Sequence, residues 1–345
     1  MNLSGRVRLA VFVSLALLGT VGLASPASSG YHLLKSIPIG AAPGEAEYFD
    51  YVTVDPAGRR IYIAHGAEVK VLDADKFSVV GSITGVKRCH GVTLVPELNK
   101  GFIADGDGAK VVIFDVKTLK ITGEIETYPD TDSITYDPAS KMVVTFSGDS
   151  KNASVIDPVK ETMIKTIDMG GAPEQPVADG KGTMYDSNKD TSDVVVIDTH
   201  TLTVKTRWSI KPAGQAVALA LDPDHHRLFS AGRNPTALVM MDADSGKVLQ
   251  SFPITAGVDA NVYDPATGLV FSSTRAGVLH VFHEDTPDTL TVLEEIKTEY
   301  GAKTMGLDPK THNLFLVTSD FTPASGPKGE RKAIKGTARV LIYGR

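Results

Sequence analysis

From residue 31 onward the chain alternates short apolar segments with polar turns, and no 3.6-residue apolar period is sustained over ten positions. The segments are β-branched or strictly alternating, and Asp, Pro, Gly and Ser separate them, which predicts strands joined by tight turns. One phrase recurs: VDPAGRRIYIAHG (54–66), YDPASKMVVTFSG (136–148), LDPDHHRLFSAGR (221–233), YDPATGLVFSSTR (263–275) and LDPKTHNLFLVTS (307–319). Aligned on its aspartate, the chain places equivalent positions at Asp55, Val95, Asp137, Asp179, Asp222, Asp264 and Asp308, spaced 40 to 44 residues apart.

A second ladder runs through the ends of EVKVLD, KVVIFD, NASVID, DVVVID, ALVMMD, VLHVFH and ARVLIY, and it also counts seven. A further strand-like segment follows each of these except the last, and the missing copy sits at the other end of the chain as YHLLKSIPI (31–39). Four strands per period of this length predict an all-β, seven-bladed β-propeller with four antiparallel strands per blade. The displaced segment predicts circular closure, the N-terminal strand completing the last blade beside ARVLIY and covering an otherwise free edge. The turn aspartates of both ladders, Asp55, Asp137, Asp222, Asp264 and Asp308 with Asp73, Asp115, Asp157, Asp198 and Asp242, read as caps of their own turns.

The strand–turn–strand around Asp-Pro, followed by IYIAHG, GFIADG or RLFSAG, then VxVID and TLxVxxxI, resembles the YVTN-repeat propellers, including the YncE-like exported proteins, over residues 31 to 345. The eponymous tetrapeptide is written here as YIAH, FIAD, VTFS, MYDS, FSAG, FSST and FLVT. The resemblance implies an extracytoplasmic binding or scaffold role and names no reaction.

Ahead of the repeats, Arg6 and Arg8 precede an apolar run from Leu9 to Ala24 and a small-residue stretch ending at Ser29, the three parts of a secretory signal. The run is short and Gly-interrupted against the roughly 20 residues of a membrane span. Residues 1–28 are therefore expected to be a cleaved leader and 29–345 a single propeller domain, periplasmic or secreted, with no transmembrane segment after cleavage and monomeric. Removing the two arginines takes the formal charge from −6 to −8, a poor balance for binding nucleic acid. Cys89 is the sole cysteine, so no internal disulfide is available, and it is expected to pack in its sheet.

If each innermost strand runs toward its Asp-Pro turn, its beginning lies on the opposite face. Asp50, His90, Asp132, Glu174, Val217, Asp259 and Lys303 stand five residues before the ladder positions and should ring the channel mouth. His65, Asp105, Ser147, Asn188, Arg233 and Arg275 end the returning strands and should form a wider ring on that face. The expected recognition set is His90, Glu174, Arg233, Asp259, Arg275 and Lys303, binding a small-molecule ligand or an envelope protein without catalysis. The alternative is a lactonase-like, metal-dependent hydrolase in which Asp50, His90, Asp132, Glu174 and Asp259 hold a divalent ion that activates water, provided they converge to bonding distance. No cofactor is firmly implied. HExxH, paired CxxC, GxSxG and phosphate-loop motifs are absent from the sequence. DHH (224–226) reads as a solvated turn open to an adventitious metal, and HEDTPD (283–288) is an acidic turn without the twelve-residue calcium pattern. The basic stretch 319–337, carrying Lys328, Arg331, Lys332 and Lys335, breaks the last repeat on the irregular face, as filler or as a lid.

Overall fold

The structure is a computed structural model that describes Met1 and residues 28–44, 47–326 and 329–345. The leader expected over 1–28 falls, apart from its ends, outside the described residues, as does Lys328. Among the described residues no helix is long and apolar enough to cross a membrane.

Seven four-stranded antiparallel sheets form a ring. Their innermost strands are Phe49–Asp55, Cys89–Val95, Thr131–Asp137, Pro173–Ala178, Ala216–Asp222, Val258–Asp264 and Met305–Leu307, defining blades 1 to 7. Each touches the inner strands of its two neighbours, and the last touches the first. Second and third strands are sandwiched between adjacent blades, so both of their faces are apolar, as in Arg60–His65, where Ile61, Tyr62 and Ile63 are fully buried. The register makes Tyr62, Phe102, Val144, Tyr185, Phe229, Phe271 and Phe315 equivalent, each the third-layer residue that fills the gap to a neighbouring blade. Outermost strands face water and read accordingly, as in Thr162–Asp168.

The aspartate ladders do what the sequence predicts. Asp55 accepts from the amides of Ala57 and Gly58, Asp137 from Ala139 and Ser140, Asp157 from Val159 and Lys160, and Asp198 from His200 and Thr201. Each carboxylate answers amides that the turn leaves unpaired. Cys89 is fully buried, with its thiol directed to the carbonyls of Gly66 and Glu68.

His32–Gly40 pairs antiparallel with Ala338–Gly344, outside Leu314–Thr318 and Met305–Leu307, so the last blade takes its outer strand from the beginning of the chain. Ile37 and Ile39 point into the sheet, while Leu33 and Leu34 stay exposed. Tyr31 anchors the strand's start, packed edge-on to Phe271 with its hydroxyl donating to the His312 carbonyl at 2.6 Å. Burying two isoleucines contributes roughly 3–6 kcal/mol, a large share of the about 5–15 kcal/mol that holds a typical native state. Deleting residues 31–39 is therefore expected to expose the edge Ala338–Gly344 and to give aggregation or a large drop in the denaturation midpoint; scattering and chemical denaturation check it, and a truncated chain as stable and monodisperse as the parent contradicts circular closure.

Candidate functional site

The channel-mouth residues owe their direction to a backbone irregularity. Six of the seven innermost strands lose register with their neighbours just where these residues sit: between Phe49 and Val52, Cys89 and Val92, Thr131 and Ile134, Pro173 and Pro176, Ala216 and Ala218, and Val258 and Ala260. A bulge adds an unpaired residue and re-aims its side chain. Asp50, His90, Asp132, Glu174 and Asp259 lie in such bulges and turn toward one another instead of into the sheets.

They sort into three groups. In blades 1 to 3, His90 Nδ1 lies 2.8 Å from Asp50 Oδ2 and 2.9 Å from Asp132 Oδ1. The hydroxyl of Tyr48 closes the group, 2.6 Å from Asp50 and 2.9 Å from the same imidazole nitrogen. One N–H cannot satisfy all three oxygens, and Asp132 Oδ1 is left without an aligned donor. Burial disfavours the imidazolium, but the hydrogen bonds and charges of Asp132 and Asp50 outweigh it and raise the His90 pKa to about 10. Burial also opposes the charge on Asp50, and Lys303, His90 and Tyr48 hold it below the usual carboxylate range even so. The far nitrogen of His90 is buried without a partner, close against Gly106.

The second group, in blades 5 to 7, is basic. Lys303 Nζ and Arg233 Nη2 both contact the carboxylate of Asp259, and Arg233 Nε donates to the Val258 carbonyl at 3.0 Å. Lys303 also reaches toward Asp50, at 3.9 Å, and so joins the two groups. Burial, with repulsion from Arg275 and Arg233, holds the Lys303 ammonium below the usual lysine range against the pull of Asp50. Arg275 is exposed and pairs with no carboxylate among the described residues. Two cations thus share the Asp259 carboxylate, and a third, Arg275, stands near enough to repel Lys303. In the third group, Glu174 pairs with Lys189, while burial and the nearby Asp132 push its carboxyl up.

The wider ring is mostly structural. His65 is fully buried, 2.5 Å from Glu47 and 3.4 Å from Glu68; Asp105 accepts from the amides of Lys87 and Arg88; and Asn188 donates to the Met169 carbonyl at 2.8 Å. Ser147 is buried beside Thr131. Only Arg233 and Arg275 of that ring serve the mouth. The 319–337 segment is tied by the bridges Phe321–Ala333 and Ser325–Glu330, and Arg331 lies 4.8 Å over the Tyr300 ring, adding a cation on the Arg275 side.

Beneath the mouth the channel is barred. Tyr51 of blade 1 donates to the Glu174 carbonyl of blade 4 at 3.3 Å, and Gln175 accepts from the Leu219 amide at 3.2 Å and reaches the Asn261 carbonyl at 3.4 Å. On the other side of this bar a cavity of about 470 Å³ extends toward the Asp-Pro turns, lined by residues such as Val54, Ala178, Leu221, Pro223, Tyr263 and Leu307. Position counting finds the ring but misses Tyr48, Tyr51 and Lys189, which lie outside the ladder. It also misses Asp186, fully buried in MYDS with neither oxygen hydrogen-bonded; burial first, then Glu174, pushes its carboxyl far above the usual range.

No protein-family model matches the chain, and no curated protein matches it. Among solved structures, a chain of Kuenenia stuttgartiensis hydrazine synthase superposes with a TM-score of 0.70 at 14% identity, covering 89% of this chain and 98% of that one. A chain from the crystal structure of the mitotic checkpoint complex gives 0.70 at 13% identity, covering 99% of each. At such identities the likeness establishes the propeller fold and nothing of function.

The His90 cluster has a pH signature. The imidazole ordinarily titrates near 6.5 and here near 10, so its ionic contribution to stability is complete below pH 6.5 and is lost as pH rises through 10. His90→Gln is expected to be less stable than the parent at pH 6 and to converge on it by pH 10.5; parallel denaturation midpoints in that window that never converge contradict the assignment.

Proposed function

We propose that this chain is an exported propeller of the YVTN-repeat, YncE-like kind whose channel mouth binds a small anionic ligand, a carboxylate or phosphate, without transforming it. The observation that carries this reading is the pairing of Lys303 and Arg233 on the carboxylate of Asp259, with Arg275 beside Lys303 and free of any carboxylate partner among the described residues. Clustered, partly desolvated cations call for a counter-charge, and a guanidinium grips a carboxylate or phosphate through two parallel hydrogen bonds. The Asp50–His90–Asp132 group sets the acidic limit of the site, and Lys303 lies between the two. Location outside the cytoplasm rests on Arg6, Arg8 and the apolar run Leu9 to Ala24.

Metal-assisted hydrolysis keeps only part of its ligand set. Asp50, His90 and Asp132 converge, with one donor atom of each within 4.8 Å of the others. Glu174 and Asp259 are instead committed to Lys189, Lys303 and Arg233. The converged three also fit a cation poorly, because the His90 nitrogen that faces both carboxylates is held protonated and the Lys303 ammonium lies close to Asp50. A His90 held protonated at neutral pH is equally unsuited to act as a general base.

Calorimetric titration of the full chain with succinate and with inorganic phosphate at low salt tests the binding reading. Arg275→Ala and Arg233→Gln are each expected to weaken the bound anion by at least about tenfold, and the turn-face variant Asp137→Asn to leave affinity unchanged. Anion binding that survives both arginine changes, or none by the parent, removes the proposal.

A further inference from the structure

At two blade junctions on the Asp-Pro face, a buried turn aspartate is answered by a basic side chain from the following blade. Arg59 of blade 1 holds Asp308 of blade 7 at 2.7 Å, and His312 of blade 7 holds Asp264 of blade 6 at 2.8 Å. Arg59 and His312 occupy the same place in the repeat: four residues after their own turn aspartate, in left-handed backbone (φ 55° and 61°). Between blades 5 and 6 the pattern breaks. The equivalent residue is Gly268 (φ 66°), which has no side chain to offer, and the group that blade 6 presents to Asp222 is another carboxylate, Glu284. Its amide donates to the Gly268 carbonyl at 2.8 Å, which places it in the gap.

Two carboxyl groups are therefore buried together where those two junctions set a basic side chain beside the aspartate. The side chains of Asp222 and Glu284 are 1% and 2% exposed. No lysine or arginine pairs with either among the described residues, and neither oxygen of Glu284 makes a well-aligned hydrogen bond. Burying two carboxyls together costs free energy unless a proton or a cation is shared between them. Their neighbours are the Tyr263 hydroxyl, on the Glu284 side, and His225, half-exposed, with Nδ1 at 2.6 Å from Asp222 Oδ2 and 3.9 Å from Glu284 Oε2.

We propose that Asp222, His225 and Glu284 form a binding site for a divalent transition-metal ion of the zinc class, which supplies the positive charge that Gly268 cannot. One donor atom from each residue lies within 4.8 Å of the others. Donors held tetrahedrally at about 2.1 Å stand about 3.4 Å apart, and the present separations of 2.6 and 3.9 Å from His225 bracket that figure. An imidazole with two carboxylates suits zinc better than calcium, which takes six or more oxygens. The exposed edge of His225 leaves the fourth position to water. Pro223 of the same turn lines the central cavity.

The test is the melting temperature and calorimetry of the chelator-treated full chain with Zn²⁺ alone, with Ca²⁺ for comparison. The parent is expected to bind one Zn²⁺ with a Kd below roughly 10 µM and to melt higher with it, by linkage. Glu284→Gln and His225→Ala are expected to lose that affinity by at least tenfold and to lose the shift, while the mouth variant Asp50→Asn retains both. Zinc binding that survives Glu284→Gln and His225→Ala, that disappears in Asp50→Asn, or that is weaker than calcium binding overturns the proposal, as does an adventitious ion only, seen as weak, multi-site uptake unchanged by any of these variants.

Discussion

A strand edge with unpaired amides and carbonyls is what a ring of sheets must avoid. Here the pairing of His32–Gly40 with Ala338–Gly344 meets that requirement, and with it the seven inner strands are held at fixed separation around one axis. The ties between first and last blades continue inward: Thr304 donates to the Asp50 carbonyl at 2.8 Å, and Arg59 bridges to Asp308. Both the mouth group around Asp50 and Lys303 and the turn-face junctions inherit their spacing from this closure, because their residues come from opposite ends of the sequence.

Within that frame, order and irregularity have separate tasks. The turn face is regular: aspartate caps and left-handed fourth residues recur around the ring, and two of its junctions add a link from a basic side chain to the neighbouring aspartate. The mouth is made largely by bulges at one depth, five of the six releasing an ionisable side chain from its sheet and the sixth holding Val217. Released charges at that depth are desolvated, so they pair with one another, and the pairing divides the mouth into an acidic sector around His90 and a basic sector around Asp259. The basic sector is the one that holds more cations than carboxylates.

The architecture was legible because Asp55, Asp137, Asp222, Asp264 and Asp308 recur at nearly constant spacing, and the offset of YHLLKSIPI could mean only closure. Counting back from those aspartates found the ring as well, since position along an inner strand fixes height along the axis. Which neighbours pair was not legible. His90 chooses Asp50 and Asp132, and Glu174 chooses Lys189, through bulge geometry and rotamers that leave no periodic trace. Asp222 was read as a turn cap, which it is, accepting from the Asp224 amide at 3.0 Å. Its approach to Glu284, in the longer strand Val278–Thr286, leaves no trace in the sequence, because no ladder relates the two.

The Tyr51 and Gln175 contacts turn the channel from a conduit into a blind well. Seen from the turn face, the cavity has a floor of phenol and amide, Tyr51 and Gln175, and walls beside Val54, Leu221 and Leu307. One axis therefore carries two vestibules of unlike lining, a ring of charges above and aliphatic walls below, and a substitution in one leaves the residues of the other in place.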